Sequence, residues 1–99
     1  MSDPLAALRD HLAPIEDLKA AAAVLAWDQE TFMPDGGAEA RAQQLSTLQS
    51  MAHERFAADE TGTLLDRAAD ALDDPEAPTD DASLVRVTRR DYDRARRDR

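Results

Sequence analysis

Leu5, Leu8, Leu12, Ile15, Leu18, Ala22 and Leu25 follow one another at spacings of three and four. Apolar residues at that period share one face of an α-helix, because each residue turns the chain by about 100°. The face persists for about six turns, which commits the first third of the chain to helix. Ser2 or Asp3 can cap its start, and Pro4 suits its first turn. Pro14 lies inside the pattern, where it removes one backbone donor and crowds the carbonyl of Asp10. The Leu face keeps its register through Pro14, so a kink is expected there rather than a break into two helices. Ala20 to Ala23 form a strong helix-forming run, and the helix is expected to reach Thr31.

Pro34 disfavours helical geometry at Met33, and Asp35-Gly36-Gly37 supplies turn residues. A second helix over 38–57 follows, with Ala38, Ala42, Leu45, Leu48, Ala52 and Phe56 as its buried face. Asp59 is the expected cap of a third helix over 60–72, with Glu60 in its first turn. Leu64, Leu65, Ala68, Ala69 and Leu72 mark its apolar face, and Gly62 is a weak point near its start. An acidic loop over 73–80, with two Pro and several Asp, breaks the pattern. Thr79 or Asp80 caps a fourth helix over 81–96, whose face is Leu84, Val85, Val87, Thr88, Tyr92 and Ala95. No Gly or Asn closes that helix, so the pattern is expected to continue past Arg99. Period-two alternation and internal repeats are missing, and β-branched residues are scarce. The fold class is all-α: four helices in an antiparallel, bundle-like arrangement.

Ninety-nine residues allow one domain. Of its 42 apolar residues 20 are Ala, leaving 22 large side chains to build a core. So thin a core suggests that the helices pack against something outside this chain; close Ala-lined packing among themselves is the alternative. The chain has no cysteine, which excludes disulfides and Cys-based zinc sites and permits an intracellular setting. The first ten residues have neither a basic segment nor a continuous apolar run, so they are not a secretory signal. The longest apolar candidate, Ala20 to Trp27, is too short to cross a bilayer. A cytoplasmic location, with no membrane partner, is expected. Residues 1–85 carry 5 basic and 18 acidic side chains, whereas residues 86–99 carry 7 Arg and 3 Asp. The acidic body argues against nucleic acid as a partner. Arg86, Arg90, Arg94 and Arg97 form one stripe at helical spacing, suited to solvent or to salt bridges with the acidic helices more than to a nucleic-acid patch.

The motifs that could carry chemistry are sparse. His53-Glu54-Arg55 begins like the zinc-peptidase motif H-E-x-x-H, which places two imidazoles on one helix face toward one metal. Position 57 is Ala, so the second imidazole is missing. His11 has no acid four residues on, and two isolated His do not make the usual three-ligand zinc site without carboxylates. Both are expected on a surface or helix flank. Asp28 and Glu30 stand two apart and diverge by about 160–200° on a regular helix, so they do not share a site. They are nonetheless the carboxylates with bulky apolar neighbours, Trp27 and Phe32, that could tune a pKa. Ser46, Ser50 and Ser83 lie in helical text without a nucleophile elbow. Gly36-Gly37 before a helix could hold an anion on free N–H groups. Asp35 and Glu39 would repel one, and a turn is the simpler reading.

Two blocks carry a resemblance. "LAWDQETFMPDGGAEARAQQLSTLQSMAHERF" (residues 25–56) and "LVRVTRRDYDRA" (residues 84–95) resemble the N-terminal part of the carboxypeptidase Taq (M32) family of zinc metallocarboxypeptidases. The first is similar to the family's W-D-Q-E-T, M-P-x-G-G and A-R-A-x-Q-L text followed by A-H-E, the second to its R-R-x-Y-x-R-A helix. The resemblance implies an almost wholly helical enzyme, several times longer than this chain, that removes single residues from peptide C-termini. It implies zinc, or a similar divalent ion, held by H-E-x-x-H and a later Glu, the motif's own Glu activating water. It also implies N-terminal helices that form a wall or lid over a deep cleft, in a cytoplasmic and often dimeric protein.

This sequence departs from that pattern where the chemistry lies. H-E-x-x-H is absent, so no catalytic or metal-binding residue carries over and no cofactor is expected in this chain. Trp27, Asp28, Gln29, Glu30 and Thr31 carry over as a family signature that braces a corner or faces a cleft. The expectation is an N-terminal lid or cleft-wall segment, inactive alone, whose partner is the remainder of a carboxypeptidase chain; peptide substrate enters only in that context. The alternative is a stand-alone helical module that self-associates through its Ala/Leu faces.

Overall fold

The computed structural model describes residues 3–31 and 37–97, with the side chains of residues 29–31 outside that description. It contains four helices: α1 (Pro4–Thr31), α2 (Ala38–Ala57), α3 (Asp59–Asp70) and α4 (Asp80–Arg97). No strand occurs among the described residues. The molecule is elongated, 55 × 25 × 25 Å. Its long dimension follows α1, whose 28 residues span about 42 Å at 1.5 Å per residue.

α1 runs without a break through Pro14, as the unbroken Leu register requires. Its start is capped by Asp3, whose Oδ1 accepts from the Leu5 amide at 3.0 Å. The Pro34 stop and the Asp35-Gly36 turn lie outside the described residues. Three local expectations need correction. Asp59 does not cap α3 but is its first residue. The N-cap is Ala58, in extended conformation and without a side-chain bond. α3 then ends at Asp70 instead of residue 72: its last bonds tighten to three-residue spacing, the Ala71 amide reaching the Ala68 carbonyl at 3.2 Å and the Leu72 amide the Ala69 carbonyl at 3.1 Å. Finally, Ala38 and Ala42 are exposed, so the face expected of α2 is buried only toward its C-terminal end, at Ala52 and partly at Leu45, Leu48 and Phe56.

The core sits where α3 and α4 close on the first half of α1. Leu8, Leu65, Ala68, Val85 and Tyr92 are its buried members, with Leu5, Leu12, Phe56, Leu64 and Leu84 packed around them. Phe56 meets Tyr92 edge to face, centroids 6.2 Å apart and rings at 88°, the arrangement that ring quadrupoles favour. Gly62 has its reason here. A Cβ at this position would stand 2.7 Å from the Tyr92 hydroxyl oxygen and 3.1 Å from Cζ. The missing side chain lets α3 lie against the ring.

Arginines fasten the periphery, though not as the expected stripe. Arg86 donates to the carbonyls of Pro75 (2.8 Å) and Ala77 (2.9 Å), folding the acidic loop onto α4. Arg89 pairs with Asp66. Arg96 lies over the Tyr92 ring at 5.5 Å and donates to the Ala57 carbonyl and to Asp59. It thereby places a cation at the C-terminal end of α2, where the helix dipole favours one. Of the stripe itself only Arg86 is so engaged among the described residues, since Arg89 and Arg96 occupy the faces that meet neighbouring helices. At the start of α4 the Thr79 hydroxyl accepts from the Ala82 amide at 3.2 Å, and Asp81 pairs with Arg9 of α1.

Candidate functional site

Two features stand apart from the core: a groove along α1 and the corner between α1 and α2. The groove is bounded by α1, the C-terminal half of α2 and α4. Its larger part has a volume of about 780 Å³ and is lined by Leu12, Phe56, Leu84 and Val87 together with charged side chains, among them Arg9, Glu16, Lys19, Asp91 and Arg94. A second part of about 410 Å³ continues it between α1 and α2, over Ile15, Ala22, Ala26 and Ala52. Lys19, His53 and Phe56 line both parts, so the two adjoin. Along α1 the lining runs from Arg9 to Ala26, a length of about 25 Å. Leu12, Phe56 and Leu84, which pack against the core, show part of their surface to the groove, and Val87 is exposed.

The corner holds the five signature residues. Trp27 is 60% exposed, as is its neighbour one turn back, Val24, at 64%. Asp28 is half-buried and forms an ion pair with Arg41 at 3.0 Å, joining the last turn of α1 to the first turns of α2. The side chains of Gln29, Glu30 and Thr31 lie outside the described residues, so the divergence of Asp28 from Glu30 is not described.

His11 and His53 occupy different surroundings. His53 is exposed and lines the groove. His11 is largely enclosed, against expectation: its Nε2 lies 2.7 Å from the hydroxyl of Thr61, which is wholly buried. That hydroxyl is 3.3 Å from the Arg55 carbonyl. A carbonyl can only accept, so Thr61 donates to it and accepts a hydrogen bond from His11 Nε2–H. Glu60 Oε2 is 3.7 Å from the other ring nitrogen. The cluster ties α1 to α3 and to the end of α2. His11 and Thr61 are fifty residues apart, which no spacing rule reaches. One signal did exist: Thr61 stands four before Leu65 and seven before Ala68, on the apolar stripe.

Ser46, Ser50, His53 and Glu54 share a shallow depression on α2. No hydrogen bond joins serine to histidine there among the described residues, so nothing activates a nucleophile. Ser83, half-buried on α4, makes no side-chain hydrogen bond to a base among the described residues. Among the described residues no group of three or more His, Asp or Glu converges to hold a metal ion. His11 is committed to Thr61, and the other imidazole stands without a second ligand set, so the donors present do not fit a catalytic zinc.

Comparison with known proteins decides the lineage. The chain matches the carboxypeptidase Taq (M32) metallopeptidase family over residues 7–98. The chain belongs to that family. It is 35% identical over 74 residues to thermostable carboxypeptidase 1 of Thermus thermophilus, a match covering 75% of this chain. It spans only 14% of that relative's length. No solved structure matches the chain. Within the M32 family, then, these four helices correspond to a short, all-α part. No helix among the described residues is long and apolar enough to cross a membrane.

Proposed function

We propose that this chain is a lid or cleft-wall segment of a zinc-dependent metallocarboxypeptidase that releases single amino acids from peptide C-termini. Residues 1–99 do not catalyse by themselves, and their partner is the remainder of such a polypeptide. One observation carries the reading: the chain matches the M32 family over residues 7–98, and its 74-residue match to the Thermus carboxypeptidase covers only 14% of that protein's length. The sequence agrees, since His53-Glu54 lacks the second histidine at position 57. The metal and the water it activates belong to the rest of the enzyme. This segment supplies shape: the Asp28–Arg41 pair holds the corner, and Trp27 is presented outward from it.

The test is a chimera in which residues 7–98 replace the matching segment of the Thermus carboxypeptidase. The chimera is expected to retain metal-dependent release of C-terminal residues, and the purified 99-residue chain to show none with zinc added. Metal-dependent release by the 99-residue chain alone would overturn the reading.

The exposed Val24 and Trp27 support a second reading, self-association of a stand-alone helical module through its apolar faces. Sedimentation would then give a defined oligomer, and a chain that remains monomeric at high concentration counts against it.

A further inference from the structure

We propose that Ala58 is an exchange hinge: α2 and α3 join there into one helix, and the α3–α4 pair passes to a second copy of this chain. The proposal is independent of the function given above and of the exposed Val24 and Trp27. The break between α2 and α3 is one residue long, Ala58, extended at φ −67° and ψ 153°. The text across it, AHERFAADET over residues 52–61, holds neither Pro nor Gly. Alanine is the strongest helix former and a poor N-cap. Ala58 accordingly offers α3 no side-chain cap, and Asp59, which has the chemistry for one, stands one position late.

Other helices hold the break open. In a continuous helix the Arg55 and Ala57 carbonyls accept from the amides of Asp59 and Thr61, four residues on. Here the Arg55 carbonyl accepts instead from the Thr61 hydroxyl at 3.3 Å, itself bonded to His11 of α1. The Ala57 carbonyl accepts from Arg96 of α4 at 2.7 Å. The local signal for a helix start is the acidic pair Asp59 and Glu60, and Arg96 takes up Asp59 as well, at 2.8 Å. Straightening within one chain would pull the wholly buried Leu65 and Ala68 from the core. Exchange keeps them buried: α3 and α4 move as a pair, and α1 of the second copy supplies Leu8 and Leu12. Swapping an identical element in this way reuses native contacts. The hinge then gains its helical hydrogen bonds and gives up the Arg96 contact with Ala57.

The test refolds the 99-residue chain at low and high concentration and sizes it by sedimentation. Arg96→Gln frees the Ala57 carbonyl and is expected to raise the dimer association constant about tenfold or more. Ala58→Gly, poorer in a helix and better as a cap, is expected to lower it about tenfold or more, alone or combined with Arg96→Gln. The Cα chemical shift of residue 58 is expected to be extended in the monomer and helical in the dimer. Monomer at every concentration in both wild type and Arg96→Gln overturns the hinge. So does a dimer whose residue 58 stays extended, or one that Trp27→Ser dissolves and Ala58→Gly leaves intact. If Arg96→Gln fails to fold, a wild-type dimer weakened by Ala58→Gly supports the hinge, and no dimer, or one indifferent to Ala58→Gly, overturns it.

Discussion

At one end of the molecule Leu8, Leu65, Val85 and Tyr92 interlock, a glycine makes room for an aromatic ring, and a buried hydroxyl joins three helices. At the other end α1 and α2 meet through small residues such as Ala22 and Ala52. One ion pair joins their tips, while Val24, Trp27 and the first turns of α2 face outward. Both ends use the same helical period. They differ in what covers the apolar face. The α3–α4 end is closed by this chain's own large side chains. The hairpin end is closed only in part, with Val24, Trp27, Ala38 and Ala42 exposed. Helix formation and helix burial are therefore separate questions here.

Substitutions can break that contrast, and the largest effect belongs at the closed end. Leu65→Ala removes a wholly buried side chain and should cost about 2–5 kcal/mol in urea unfolding. A loss well under 1 kcal/mol would mean that this end is no better packed than the other. Thr61→Val leaves the His11 N–H without its acceptor in a closed site, at about 1–3 kcal/mol. Thr61→Ser, which keeps the hydroxyl, should lose much less. Gly62→Ala sets a gain in helix propensity of about 1 kcal/mol against overpacking of about 1–3 kcal/mol on the Tyr92 ring. A net loss of about 1 kcal/mol is expected, and a gain would show that the ring yields freely. At the open end Asp28→Asn should change stability by less than about 1 kcal/mol, and less again in high salt, because the pair is partly exposed to solvent. A larger loss would make the corner a second core.

What the sequence made legible follows the same division. The four helices, a cap at Thr79 or Asp80 and the apolar faces of α1, α3 and, Val87 apart, α4 were readable because each depends on neighbours within one or two turns. So was the lineage, through the Trp27–Thr31 block and the Arg89–Ala95 text. The exposure of Ala38 and Ala42 was not readable, since period alone does not say whether another element arrives to cover a face. The choice of Arg89 and Arg96 over Arg90, Arg94 and Arg97 depends on the rotation of α4 against α3. The His11–Thr61 bond and the fit of Gly62 to Tyr92 depend on how helices far apart in sequence cross. Of the candidate site, Asp28 could be singled out as charged text at a corner. Its partner Arg41, thirteen residues on, required the geometry of the turn.

Amide hydrogen exchange of the 99-residue chain, resolved by residue, tests the contrast most directly. Regions with few buried apolar contacts open more readily than the core. The strongest protection is expected in α3 and in the middle of α4, around Leu65, Ala68, Val85 and Thr88, with exchange orders of magnitude faster over residues 38–48 of α2. Protection over residues 38–48 equal to that around Leu65 would contradict it, because the hairpin would then be complete without a partner.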